Sequence, residues 1–142
     1  WEDSGTVRDA VNQLAAGQQW EYLGKQEVSG LMAWMANTDG PQAVAEWVSS
    51  LPARPETTEI FHRGVEPFIR KDRAAAIEWI SSISDPVWRD RGYAEYSQQC
   101  LRRFKDPAAS RQALDQIADP AFKLTAESWR KSWEKETGWK GN

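Results

Sequence analysis

A single cysteine, Cys100, stands in 142 residues, so no internal disulfide framework is possible. A single histidine, His62, is equally limiting. A histidine triad or metal site needs partners at set spacing, and Ile60-Phe-His-Arg63 offers none; His62 reads as an edge or core histidine on a kinked helix. No run of about 18 apolar residues occurs, so nothing is expected to span a membrane. Glycine-rich phosphate loops, Cys/His clusters and His-Glu zinc helices are all missing. So is an excess of positive charge: 18 Lys/Arg against 21 Asp/Glu give a net charge of −3, which disfavours a nucleic-acid binder relying on phosphate neutralisation. Residues 1–71 hold 6 basic and 10 acidic side chains and residues 72–142 hold 12 and 11, an asymmetry too small to name a partner. Acid pairs such as Glu56/Glu59 are ordinary for helix surfaces. The expectation is a chain with no catalytic constellation, no cofactor, no metal, no nucleic-acid partner and no membrane span. It starts at Trp1 without an initiator methionine and reads as a processed or excised piece that lacks any targeting segment, which leaves cytoplasm and periplasm equally open.

What is abundant is tryptophan, nine residues in all, and helical periodicity. Each indole can bury a large apolar area, so a few supply much of a core. In Arg73-Ala-Ala-Ala-Ile-Glu-Trp-Ile-Ser-Ser-Ile-Ser-Asp-Pro86, residues Ala76, Trp79, Ile80 and Ile83 fall at i, i+3, i+4 and i+7, one apolar stripe on a polar helix. The stripe recurs as Val7/Ala10/Val11/Leu14, Val44/Trp47/Val48/Leu51 and Ser110/Ala113/Leu114/Ile117. Its starts are spaced by 37, 32 and 34 residues. Lys71-Asp72 and Lys105-Asp106 are 34 apart, and so are Asp85-Pro86 and Asp119-Pro120.

Between the stripes lie second helices. Residues 18–37 read as one helix or two short ones, followed by a turn at Asn37-Thr-Asp-Gly-Pro41. A helix over 56–71 contains Pro67, which predicts a kink or a split. A long helix over 87–105 carries Tyr93, Tyr96, Cys100 and Phe104 on one face, with Trp88 off it. The last helix opens at Asp119-Pro120 and aligns Phe122, Ala126, Trp129 and Trp133; from Gly138 a loose tail is expected. Asp72 and Asp85 are natural N-caps, Lys105-Asp106-Pro107 repeats the cap signal, and Pro86 suits a first helical position. The predicted fold is all-α: about eight helices in four antiparallel hairpins stacked as a short solenoid, one domain with units near 6–37, 39–71, 72–105 and 106–137.

A period near 34 with two helices per unit, Trp47 and Trp79 near the start of first helices, and Pro107 just before another resemble the tetratricopeptide-like arrays. The resemblance lies in the period. Pro86 and Pro120 interrupt where that family's first helix continues, Ile83 stands near its glycine position, and no peptide-clamp residues carry over. What the resemblance implies is a superhelical stack of a kind often used to dock peptides or proteins.

Three function classes follow. In the first, the chain is a non-catalytic module that docks a peptide or protein partner on the polar side of the stripe helices, through Asp9, Glu46, Ser49, Glu78, Ser81, Gln112 and Asp115. These positions sit opposite the buried stripe and would form rows, mildly acidic and suited to a basic peptide; the plainer reading is a solvated face. In the second, Trp88, Trp129 and Trp133 form an exposed aromatic surface for a glycan or other ligand, against the plainer reading that they are core. In the third, the chain is a structural spacer from a longer array. The arginines Arg89, Arg91, Arg102, Arg103 and Arg111, interleaved with Asp90, Glu95 and Asp106, read as a salt-bridged solvated surface, or else as a carboxylate or phosphate dock. Cys100, on an apolar face, reads as a buried inert thiol.

Overall fold

The computed structural model describes residues 25–137, and among them every regular element is a helix. There are seven: α1 Lys25–Asp39, α2 Pro41–Ser49, α3 Pro55–Lys71, α4 Arg73–Ser82, α5 Pro86–Arg102, α6 Pro107–Asp115 and α7 Pro120–Thr137. The all-α class holds, with seven helices among the described residues where about eight were expected. The helix expected at Val7–Leu14 (with Asp9) and the tail from Gly138 lie outside the described residues. From α2 onward short and long helices alternate: 9, 17, 10, 17, 9 and 18 residues.

The helix starts show why these segments fold as they do. Side-chain oxygens of Asp72, Asp85, Asp106 and Asp119 accept the backbone N–H of Ala75 (3.1 Å), Val87 (2.9 Å), Ala109 (3.1 Å) and Ala121 (3.0 Å). Each satisfies a donor that has no partner within its helix. α2 instead begins after Gly40, at φ 94°, a left-handed conformation that suits glycine. The break there is shorter than the predicted turn over 37–41, because α1 continues to Asp39 and Gly40 alone redirects the chain.

Two other boundaries differ from expectation. α3 runs unbroken through Pro67. Buried Phe61, Val65, Phe68 and Ile69 lie on both sides of the proline, and their packing holds the helix across the missing hydrogen bond. α5 stops at Arg102 rather than near 105: Lys105 turns left-handed at φ 52°, and the Asp106 N–H reaches the Cys100 carbonyl at 2.8 Å.

The chain divides into two compact units, Trp1–Lys71 and Asp72–Asn142. In the first, α2 packs against both α1 and α3. Val44, Trp47, Val48 and Leu51 are all buried, and Gly64 of α3 lets Val48 approach so closely that an added Cβ would lie 2.8 Å from both of its methyls. In the second, α5 is the central element, packed by α4, α6 and α7, with eleven of its 17 residues buried. Gly92 of α5 gives Ile80 of α4 a close but looser approach, with an added Cβ 3.0 Å from the nearest Ile80 carbon.

Among the described residues the stripes are buried with one exception. Ala76, Ile80 and Ile83 are core, whereas Trp79 is half-buried at the edge of the stripe. Ser110, the polar member, is satisfied: its hydroxyl lies 2.7 Å from the Ser97 hydroxyl, and Ser97 also donates to the Ser110 carbonyl at 3.0 Å. No helix of the described residues is long and apolar enough to cross a membrane.

Candidate functional groove

Within the second unit α4 and α6 stand as two walls over α5. Their N-terminal ends are tied together. Arg73, the first residue of α4, places Nη1 3.1 Å from Oδ2 of Asp106, the cap of α6, and its guanidinium lies 4.7 Å above the Phe104 ring. Beyond this tie opens a groove of about 470 Å³. Ile77, Glu78 and Ser81 of α4 line one wall, Ala109, Gln112, Ala113 and Gln116 the other, and Tyr93 and Tyr96 of α5 the floor. Both tyrosines are only 7 % exposed, so the floor is firm.

Glu78 carries the one formal charge among the lining residues. Its carboxylate and the carboxamides of Gln112 and Gln116 have no hydrogen-bond or ion-pair partner among the described residues. The Ser81 hydroxyl donates to the Glu78 carbonyl at 2.7 Å. The groove thus offers a free carboxylate and two amide groups, each with donors and an acceptor, above an aromatic base. Beneath it Cys100 is fully buried. Burial pushes its thiol up, with the Arg73 guanidinium pulling the other way, and burial raises the Tyr96 phenol as well.

Of the polar positions predicted from sequence, Glu78, Ser81 and Gln112 meet in this groove. Asp115 does not. It lies on the far side of α6, 3.8 Å from Arg111 and 3.7 Å from Lys123, in an ion cluster completed by Arg111–Glu127 at 2.8 Å. Glu46 and Ser49 belong to the first unit: Glu46 accepts from Gln42 Nε2 at 3.2 Å, and the Ser49 hydroxyl donates to the Glu46 carbonyl at 2.8 Å. Asp9 lies outside the described residues. Gln116, Tyr93 and Tyr96 were not predicted as site residues. The two tyrosines looked like core in the sequence, and burial does make them so; what brings them to a site is that they are the part of α5 left between two short helices.

The aromatic face expected from Trp88, Trp129 and Trp133 does not form as an exposed cluster. Trp88 is 0 % exposed, because α5 is enclosed on nearly every side and has no free face on which to carry it. Trp129 and Trp133 are half-buried, with the Lys105 ammonium 5.7 Å from the Trp133 ring centroid.

The arginine cluster is committed in part. Arg89 donates to the Ile83 carbonyl at 3.0 Å, Arg91 lies 4.5 Å above the Phe122 ring, and Arg111 pairs with Glu127. Arg102 and Arg103 are exposed. Asp90 and Glu95 are buried, not the solvated partners expected. The two carboxylate oxygens of Asp90 accept the N–H groups of Ala118 (3.0 Å) and Asp119 (3.1 Å) and fasten the α6–α7 connection to α5. His62 is half-buried, its ring edge-on to Phe61 at 5.8 Å. Among the described residues no group of three or more His, Cys, Asp or Glu side chains is placed to hold a metal ion.

Compared with protein-family models, with curated proteins and with solved structures, the chain matches none.

Proposed function

We propose that the chain is a non-catalytic helical-repeat module that docks a peptide or protein partner on the surface of its short helices. The observation that carries this reading is the groove itself: equivalent positions of α4 and α6, Glu78 and Gln112, 34 residues apart, face the same open slot with their polar groups uncommitted. The repeat it assumes is supported by the alternation of short and long helices and by aspartate caps recurring at the same spacing. The stacking of paired helices into a short solenoid is the arrangement that would extend such slots into a continuous surface.

The reading is tested by selecting binders from a displayed random-peptide library on the intact chain, then measuring them against a variant carrying Glu46→Lys and Glu78→Lys. Loss of about tenfold or more in affinity, the worth of one well-made charged contact, is the expected result. Unchanged binding of every selected peptide would sink it.

The spacer reading draws on Leu124, 66 % exposed on α7. Against it, α7 carries exposed Lys131 and Lys135 where α5, 34 residues earlier, carries the buried Ser97 and Leu101. A face with two lysines is poorly suited to receive another apolar stripe.

A further inference from the structure

Resting on that docking reading, we infer that the α4–α6 groove selects its peptide through a basic side chain, a lysine or arginine held between the Glu78 carboxylate and the floor of Tyr93 and Tyr96. The charge pattern points this way. The lining residues hold one carboxylate and no cation. Arg73, the cation beside Tyr96, is already committed to Asp106 and to the Phe104 ring. A basic side chain entering the slot therefore meets a free opposite charge and no like charge, whereas an acidic one meets the Glu78 carboxylate alone.

The second wall accounts for the rest of the peptide. Gln112 and Gln116 are four residues apart on α6 and so stand about 6 Å apart along the helix. An extended chain repeats its outward-facing backbone groups every two residues, about 6.6–6.8 Å. Each carboxamide can donate to a carbonyl and accept from an N–H. The two glutamines are thus spaced to pair with alternate residues of an extended segment. The wall reads the backbone, and Glu78 with the tyrosines reads the one side chain that points into the slot.

The test uses the intact chain and the peptides selected on it from a random displayed library. Selection is repeated on Glu78→Gln and, as a control for net charge, on Glu46→Gln, and each winner is also measured against Gln112→Arg. Peptides that lose affinity in Gln112→Arg are groove binders. The expected result is that these share a Lys or Arg at one position. That preference should disappear on Glu78→Gln and persist on Glu46→Gln. Resynthesis of a winner with norleucine at that position should weaken binding about two- to fivefold on the parent chain, as the loss of a contact to an exposed carboxylate does, and under about 1.5-fold on Glu78→Gln. Groove binders with no basic preference, or with an unchanged norleucine affinity, would overturn the inference and leave the docking reading standing. If no selected peptide depends on Gln112, both fall. Far-ultraviolet circular dichroism of each variant, unchanged from the parent, guards against loss of the fold as the cause.

Discussion

The Arg73 guanidinium and the Asp106 carboxylate meet at 3.1 Å across 33 positions of chain, and Asp106 divides its two oxygens between them: Oδ2 for Arg73, Oδ1 for the Ala109 N–H that opens α6. Both side chains are more than a third or about a third exposed, so the ion pair alone is worth well under ~1 kcal/mol. The cap is worth about 1 kcal/mol. Asp106→Ala, which removes both, should therefore lower unfolding stability by about 1–2 kcal/mol. Asp106→Asn keeps a capping oxygen and should lose no more than ~0.5 kcal/mol. Urea titrations decide between cap and pair: if the two variants fall equally, the charge and not the cap holds the head of the groove.

Three helix-interior glycines should respond to alanine with different signs. Gly30 is exposed with nothing within 4 Å of an added Cβ, so Gly30→Ala should stabilise by about 0.5–1 kcal/mol through helix propensity. At Gly64 the new methyl would lie 2.8 Å from both Val48 methyls, and a β-branched neighbour has little rotamer freedom with which to yield. Gly64→Ala should destabilise by about 1–3 kcal/mol. Gly92→Ala, with Ile80 carbons at 3.0 and 3.2 Å, should fall between, near a loss of ~1 kcal/mol. Thermal midpoints of the three variants would show the ordering, and a stabilised Gly64→Ala would mean the α2–α3 contact is looser than it stands.

The tryptophans separate by burial. Trp88→Ala should cost about 3–5 kcal/mol, the range for removing a fully buried large aromatic. Trp79→Ala should cost less than that, since part of the indole is already in contact with water. Single Trp→Phe variants read by acrylamide quenching should show Trp88 emission as protected and Trp129 and Trp133 emission as partly accessible. A readily quenched Trp88 would restore the aromatic-surface reading.

What was legible in the sequence follows from which signals are local. Caps at Asp72, Asp85 and Asp106 are read from one or two neighbouring residues, and all three form as expected; Asp119, read as the opening of the last helix, caps it as well. Apolar spacing placed three of the stripes, because the residues that make a helix face lie within two turns of each other. The failures are tertiary. Trp88 falls off the single apolar face that the sequence spacing predicts for α5, but α5 is packed by three helices and buries more than one face. Pro67 predicts a kink or a split, and the split does not occur in a helix that its flanking core residues hold together. Of the candidate site, Glu78, Ser81 and Gln112 were visible as the polar side of a stripe, but Asp115 shows that period alone does not choose the wall: the same offset that turns Ser81 into the groove turns Asp115 toward Lys123. The Arg73–Asp106 tie was invisible because no local pattern links a helix start to the cap of the next short helix.

The thiol of Cys100 gives a prediction with a definite sign. Burial raises it above its ordinary value of 9.0, so the folded chain holds the proton more tightly than the unfolded chain does. The contribution to stability is intact below pH 9 and is lost as the pH rises from there through the folded value. Tyr96, raised above 10.0 by burial, acts in the same direction at higher pH. The urea midpoint should be level from about pH 7 to 8.5 and fall above about pH 9. Cys100→Ala should remove the first part of that fall and leave the part due to Tyr96. At neutral pH an aromatic disulfide reagent should label the native chain only as fast as the second unit opens, with urea accelerating the labelling, because a neutral, fully buried thiol is not a nucleophile. Rapid labelling without urea would show that Cys100 reaches solvent through the groove floor, and that Tyr96, one helical turn away on α5, moves to let it.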